Sequence, residues 1–529
     1  MRIGPDRAAG GAYRSARRVA TTRRPVDVPH YDWIAHHARI SPHGPAQEDL
    51  HTGRRFDWLQ MHRRIDAWAA WLQREAGVKP GDRIAMLCHN STDGNEMMFA
   101  AQRVGAIHLP LNWRLAVPEL EFILNDAEPR VLVHGPEFAP QVAQLRERGR
   151  LPVVVERRDG ADSEYERAMA AGGEPSPRHR PALDDVWILM YTSGTTGRPK
   201  GAQITYRAQL FNAIHCAMET GLTRRSKGLS YLPQFHVGGI GLYAAPCFHL
   251  GAPVVTMRQF DAQRCLDLLR TPDSGITHVF GVPTNFLFMS QLPGFADARF
   301  DHLESVGVGG AAAPVSLLRL YADKGVLFQQ GWGMTETCTV GTLLGKARAL
   351  DKIGSSGQKV LHAELKIVDP SGAEVPAGTV GELLIKGPTV TPGYWRRPEA
   401  NAAALVDGWL RTGDAACVDD EGFYYIVDRW KDMFISGGEN VYPAEVEDAI
   451  FRLPGVAEVA VIGIPDETWG EVGRAFVVCA EGTALTVDDV LGHCAAHLAR
   501  YKIPKQVRFL AELPHNATGK VTKHALPRD

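Results

Sequence analysis

The sequence predicts an α/β fold: a large N-terminal domain of several subdomains, with two layered α/β sheets and a β-barrel-like part, followed by a small mobile α+β domain. Three observations predict it. A chain of 529 residues is too long for one core. From about Arg83 short apolar runs alternate with longer amphipathic ones, the pattern of strands and helices in a parallel sheet. The texture then changes to Val-rich strands with Gly/Pro turns between Gly357 and Gly413, and restarts as a compact unit after Arg429.

Residues 1–28 are rich in Arg and Ala and poor in acid. Arginine outnumbers lysine throughout, so this segment reads as an unstructured tail and not as a transit peptide. RIAMLCH (83–89), IHLPL (107–111) and PRVLVHG (129–135) read as strands, and NEMMFAAQRVGA (95–106) as an amphipathic helix between them. WILMY (187–191) reads as a buried strand, and LESV (303–306) and PVSLLRLYA (314–322) as a strand and a helix flanking GVGGAA. HAELKIVD (362–369) and TVGELLIKG (379–387) read as antiparallel strands. Beyond YYIVDRWKD come a helix at PAEVEDAIFRL, strands at EVAVIGI and RAFVVCA, a helix near VDDVLGHCAAHLA, and KQVRFL. The expected boundaries are a tail at 1–28, an N-terminal domain at 29–428, a joint at 429–431 and a C-terminal domain at 432–529.

Composition narrows the function. A formal charge of −2 gives no global attraction to nucleic acid or an anionic membrane. The eight cysteines occur singly, without a CxxC pair or zinc spacing, as in a reduced cytoplasmic protein. The uncharged stretch Gly238–Met257 contains prolines, glycines and a histidine, so no membrane helix is expected there. Neither a metal framework nor an integral membrane segment is expected.

YTSGTTGRPKG (191–201) follows an apolar strand and packs hydroxyls, glycines and a lysine together. Gly194 and Gly197 free the backbone to present N–H groups as a nest for phosphate. Thr192, Ser193, Thr195 and Thr196 add donors, and Lys200 a point charge. No GK[ST] is present and Pro199 bars the helix a Walker loop begins, so a P-loop NTPase is disfavoured. GVGGAA (307–312) fits a dinucleotide fingerprint, but the following strand VLFQQGW closes without an acidic residue, and that reading is rejected.

Five segments in order resemble one family, the adenylate-forming acyl-CoA synthetases related to luciferases and to peptide-synthetase adenylation domains. They are YTSGTTGRPKG, GWGMTE (331–336), GWLRTGD (408–414), VDRWKDMFISGGENVYPAEVE (427–447) and PHNATGKVTK (514–523). The resemblance covers the chain beyond its tail and points to the bacterial fatty-acyl/aryl-CoA ligase type. It implies ATP, Mg²⁺ and CoA as reactants and cofactors. A carboxylate attacks the α-phosphate of ATP to give acyl-AMP and pyrophosphate, and the CoA thiol then displaces AMP.

By the same resemblance, Thr192 to Thr196, Gly197 and Lys200 hold the departing phosphates, Thr335 the α-phosphate, and Glu336 the Mg²⁺. Trp332, where the family usually has tyrosine, is expected to stack on adenine, with Gly333 beside it and Gly310, Ala311 and Ala312 across the slot. Asp414 is expected to accept the ribose hydroxyls, assisted by Arg429. Lys520 is the expected catalytic lysine for the first half-reaction. Lys431 matches the hinge about which the C-terminal domain turns, bringing Gly437, Gly438 and Glu439 to a pantetheine tunnel. His236 stands beside the acyl carboxylate as a gate or neighbour, with Val237, Gly238, Val282, Pro283 and Thr284 as pocket wall. Gln234 departs there from the more usual apolar residue.

No aspartate for an amino group and no basic residue for a second carboxylate occurs in YLPQFHVGGIGLY (231–243). A hydrophobic monocarboxylate is therefore expected, a fatty acid first and an aryl-propenoic or sterol-derived acid second. Loading of a carrier protein, a luciferase-like oxidation and a non-catalytic role are the rival readings. A homodimer, and control by acetylation and deacetylation of Lys520, complete the expectations.

Overall fold

The computed structural model describes residues 28–149, 151–160, 162–172, 178–192, 199–429, 432–436, 439–467, 469–515 and 521–528. They build four sheets. In the first, strands Val153–Glu156, Val131–His134, Arg83–Leu87, Ile107–Pro110 and Val186–Thr192 run parallel, in that spatial order. Most of these strand residues are buried, which explains their continuous apolar runs. Lys200–Thr205 then returns antiparallel along Val186–Thr192. Pro199, lacking an N–H, precedes this strand, and no helix starts there.

The second sheet has nine strands. Its parallel core is Gln329–Trp332, Ser305–Gly309, His278–Gly281, Gly228–Ser230, Val254–Thr256 and Pro45–Asp49. Pro45–Asp49, from well before the alternating region, thus closes onto a sheet built mostly of residues beyond 228. That pairing is not legible from local pattern, because a central parallel strand carries no turn signal pointing to its neighbour.

Helix Thr92–Val104 corrects one expectation. It covers the segment read as amphipathic, yet every one of its 13 residues is buried. It packs against Ile107–Pro110 and Val186–Thr192 of the first sheet and Pro45–Asp49 of the second, so no face is left for water. Its charges survive burial because each is paired. Asp93 meets Arg157 at 2.7 Å, Glu96 meets Arg64 at 2.7 Å, and Arg103 meets both Asp32 and Asp66 at 2.8 Å. Even so, burial pushes the Glu96 carboxyl up to about 7.

The third sheet is antiparallel, from Glu364–Val368, Gly381–Lys386, Trp409–Val418, Leu405–Val406 and Tyr424–Arg429. The fourth joins Glu439–Val441, Phe434–Ser436, Gly470–Cys479, Val456–Asp466 and Gln506–Phe509. Helices Pro443–Phe451 and Val487–His497 share its apolar core. Among the described residues no helix is long and apolar enough to cross a membrane.

Candidate active site

Parallel strands present all their carboxyl ends at one edge of a sheet, and loops leaving that edge converge. Four such loops leave the second sheet: 231–236 after Gly228–Ser230, Val282 after His278–Gly281, 310–312 after Ser305–Gly309, and 333–336 after Gln329–Trp332. This edge therefore gathers His236, Val282, Gly310, Ala311, Ala312, Trp332, Thr335 and Glu336 from distant parts of the chain.

Two of these strands approach through glycine. Gly309 pairs with Gly331, and a Cβ on Gly309 would stand 2.5 Å from the Gly331 carbonyl oxygen. Gly310 follows at φ +80°, which a side chain would strain. Trp332 is buried, its ring lying against Gly341, where a Cβ would be 2.5 Å from the indole. Its Nε1–H donates to Asp414 Oδ2 at 2.8 Å. The expected adenine neighbour and the expected ribose acceptor are thus joined directly, a link that motif reading did not supply.

Asp414 lies in strand Trp409–Val418, buried, with its backbone in register with Arg429. Its N–H donates to Thr412 Oγ1 at 3.1 Å, and the Thr412 hydroxyl donates to Leu383 O at 2.6 Å. Gly413 at φ +69° supplies the left-handed turn before it. The carboxylate is therefore held from its own strand and from Trp332.

Thr335–Thr337 forms one tight turn, with Met334 N–H donating to Thr337 Oγ1 at 2.9 Å. Gly333 tolerates no side chain, since a Cβ would fall 1.3 Å from Thr339 O. The next residues are strained: Cys338 has φ 50° and Thr339 φ 97°. Glu336 is buried, and Tyr394 Oη donates to its Oε1 at 2.8 Å. Thr391 N–H donates to Glu336 O at 2.7 Å. Lys200 Nζ stands 5.5 Å from the Tyr394 ring centroid, so Tyr394 touches both the cation and the carboxylate. Tyr394 bridges Ala202 through its backbone, which fixes the third sheet's flank to the first sheet. Tyr394 and Thr391 are site residues that motif reading missed. Their only signal was the segment TVTPGYW, which carries no chemistry of its own.

His236 caps the short helix Val237–Gly241, and its Nδ1 accepts the Gly238 N–H at 3.2 Å. The Gln234 amide is turned to the start of helix Thr92–Val104. The side chain accepts from Ser91 N–H at 3.1 Å and donates to Ser91 O at 3.1 Å and Asn95 Oδ1 at 3.0 Å. Its polarity is absorbed by the start of helix Thr92–Val104. Val282 precedes helix Pro283–Ser290, and its N–H donates to Asn285 Oδ1 at 3.0 Å. Thr192 ends its strand with Oγ1 3.5 Å from Lys200 O. Ser193, Gly194, Thr195, Thr196, Gly197, Lys431, Gly437, Gly438 and Lys520 lie outside the described residues, as do residues 1–27 of the expected tail.

The chain matches the family model of the AMP-binding enzyme over residues 34–395, and that of the AMP-binding enzyme C-terminal domain over 445–520. A feruloyl-CoA synthase of Amycolatopsis sp is 41% identical over 94% of this chain and 98% of its own length. A long-chain-fatty-acid–CoA ligase of Mycobacterium tuberculosis is 38% identical over 92% of this chain and 96% of its own. The structure of o-succinylbenzoate coenzyme A synthetase from Bacillus subtilis with ATP and magnesium superposes with a TM-score of 0.85 at 29% identity, covering 94% of this chain and all of that one. By its family models, its end-to-end relatives and its fold, this chain belongs to the AMP-binding enzyme family, among the acid–CoA ligases.

Proposed function

We propose that the chain is an ATP-dependent ligase that activates a hydrophobic monocarboxylic acid as acyl-AMP and passes the acyl group to the CoA thiol. The arrangement that carries this reading is the pair of preset carboxylates: Asp414 fixed by Trp332, and Glu336 fixed by Tyr394 beside Lys200. Asp414, held through Oδ2 by the indole, takes a ribose hydroxyl. Gly310, at φ +80°, turns a side-chain-free backbone out of the strand that pairs with the strand of Gly331 and Trp332, which suits a flat base. Thr335 holds the α-phosphate, and Thr192 with Lys200 holds the end of the polyphosphate that leaves. A single buried carboxylate fits Mg²⁺, a hard ion whose other ligands are phosphate oxygens and water. When bound, Mg²⁺ would neutralise phosphate charge, and Glu336, oriented by Tyr394, is the carboxylate that would hold it.

No residue must deprotonate the acid, because a carboxylate is already ionised at neutral pH. His236 is accordingly a neighbour of the acyl carboxylate and not a base. Fatty and aryl-propenoic acids both fall within this reading, the named activities of the two relatives above among them. The joint at 429–431 divides the domains. Lys431 serves as the pivot that exchanges Lys520 for the Gly437–Glu439 segment between half-reactions. Acetylation of Lys520 would remove its charge and silence the first half. The free cysteines favour a reducing, cytoplasmic setting for this reaction.

The test is incubation with ATP, Mg²⁺ and a panel of acids, with and without CoA, quantifying AMP, pyrophosphate and thioester. No CoA-dependent thioester from any acid overturns the reading. The indole bond is tested separately. Trp332→Phe keeps an aromatic face and removes the N–H donor to a charged acceptor, a bond on the order of 1.5–3 kcal/mol. KM for ATP is expected to rise roughly tenfold, with a smaller change for 2′-deoxy-ATP or 3′-deoxy-ATP, whichever lacks the hydroxyl that Asp414 holds. Equal effects on ATP and both deoxy analogues would assign Trp332 to packing alone.

A further inference from the structure

Gln234 stands at the corner of a tight turn, closed by His236 N–H donating to Pro233 O at 2.9 Å. The turn leads directly into the helix that His236 caps. It is held by the residues that open helix Thr92–Val104. Gln234 N–H donates to Asn90 Oδ1 at 2.8 Å, and Asn90 Nδ2 donates to Leu232 O at 2.9 Å and Met257 O at 3.2 Å. The Gln234 side chain adds its two bonds to Ser91 and one to Asn95. Gly94 makes room for it, since a Cβ there would stand 2.4 Å from Gln234 Oε1.

From Gln234 a row of amides runs inward. Gln234 Nε2 donates to Asn95 Oδ1 at 3.0 Å, Asn95 Nδ2 to Gln47 Oε1 at 3.3 Å, and Gln47 Nε2 to Glu96 Oε1 at 3.1 Å. Asn95, Gln47 and Glu96 are buried, and Arg64 Nε donates to the same Glu96 oxygen at 2.7 Å. Every amide points the same way, and the end of the row dictates it. An ionised carboxylate only accepts, so Gln47 turns its NH2 group to Glu96 and its oxygen to Asn95. Asn95 in turn offers its oxygen to Gln234, whose own oxygen is left for the Ser91 N–H. Flipping any one amide would set two oxygens or two NH2 groups face to face in a buried place, which is costly.

We propose that Gln234 is a positioning residue for the acid substrate: the row from Glu96 through Gln47 and Asn95 sets its amide, and the amide sets the turn that carries His236. The inference rests on the ligase reading and on His236 marking the acyl side. Its effect is confined to one substrate. In the same reading ATP is met by Trp332, Asp414, Thr335 and Glu336, which lie on other strands and loops. A turn without its anchor visits several positions, and the acid binds only when the turn is in place. Its apparent affinity then falls in proportion to the fraction of time the turn is in place. Once the acid is bound the turn is restored, and the step that follows is unchanged.

The experiment measures KM for the acid, KM for ATP and kcat of acid-dependent pyrophosphate release, with Mg²⁺ and CoA, using the best acid of the panel above. It is run at roughly pH 8.5, above the value of about 7 to which burial pushes Glu96, so that this carboxylate is ionised. Gln234→Met keeps the length of the side chain and removes the amide. Gln47→Met cuts the row on another strand and leaves the Glu96–Arg64 pair in place. Each is expected to raise KM for the acid about fivefold or more, with KM for ATP and kcat within about twofold of the parent. The double variant is expected to match Gln234→Met alone, because the row then has no amide left to orient. Asn95→Leu cuts the same row and replaces Gln47→Met should that variant fail to fold. An acid KM unchanged in Gln234→Met or in the cut row overturns the inference and leaves the ligase reading standing. So does a kcat or ATP KM that moves as far as the acid KM, or a double variant whose effect is the product of the two. Thioester from no acid at all in the parent enzyme overturns both.

Discussion

Lys520→Ala is expected to lower acid-dependent pyrophosphate release by about 10²–10³-fold, while thioester formation from supplied acyl-adenylate and CoA stays within about threefold of the parent enzyme. The size follows from where charge develops. In the first half-reaction a carboxylate, already negative, attacks a phosphate that is also negative, and a preset cation at that point is worth far more than one in water. In the second half-reaction the CoA thiol displaces AMP from a mixed anhydride, and under the proposed domain turn the lysine takes no part. The two readouts are a stopped assay for pyrophosphate and a separate thioester assay with acyl-AMP. Equal loss in both halves would remove the division of labour between the lysine loop and the Gly437–Glu439 segment.

Glu336→Gln is expected to lower kcat by about 10²-fold or more and to raise the Mg²⁺ concentration needed for half-maximal rate. The change keeps the size of the side chain and removes its charge. Tyr394 Oη, 2.8 Å from Oε1, can still donate to an amide oxygen, so the side chain stays in place and the loss reports charge. Tyr394→Phe acts through Glu336, as a positioning residue, and its effect is accordingly smaller, roughly tenfold. The discriminating measurement is the Mg²⁺ titration. A drop in kcat with an unshifted Mg²⁺ dependence in Glu336→Gln would assign this carboxylate to the turn's structure and not to the ion.

Much of the fold was legible because its signals are local. Strand–helix alternation marked the first sheet; the run EVAVIGI lies within strand Val456–Asp466, and RAFVVCA lies within strand Gly470–Cys479 but for its last residue. The segment 95–106 was legible as a helix but read as amphipathic, whereas helix Thr92–Val104 is buried throughout. Apolar periodicity cannot distinguish a face turned to water from a face whose charges meet partners, and Asp93, Glu96 and Arg103 meet theirs on other elements. Where the Gln234 amide points was not legible either: it bonds to Ser91 and Asn95 on another element.

The sequence by itself determined which chemistry-bearing groups the chain possesses: the hydroxyl-glycine loop, the Thr335–Glu336 pair, Asp414, and the lysines at 200 and 520. It also determined their order, since short motifs encode turns and caps within a few residues. Only the tertiary structure decided which groups serve one another. The indole of Trp332 orients Asp414, the phenol of Tyr394 orients Glu336, and Asn212 and Thr339 meet at Gly241. Each of these meetings joins residues on separate elements, and parallel sheets bring such elements to one edge through long crossovers that leave no local mark in the sequence.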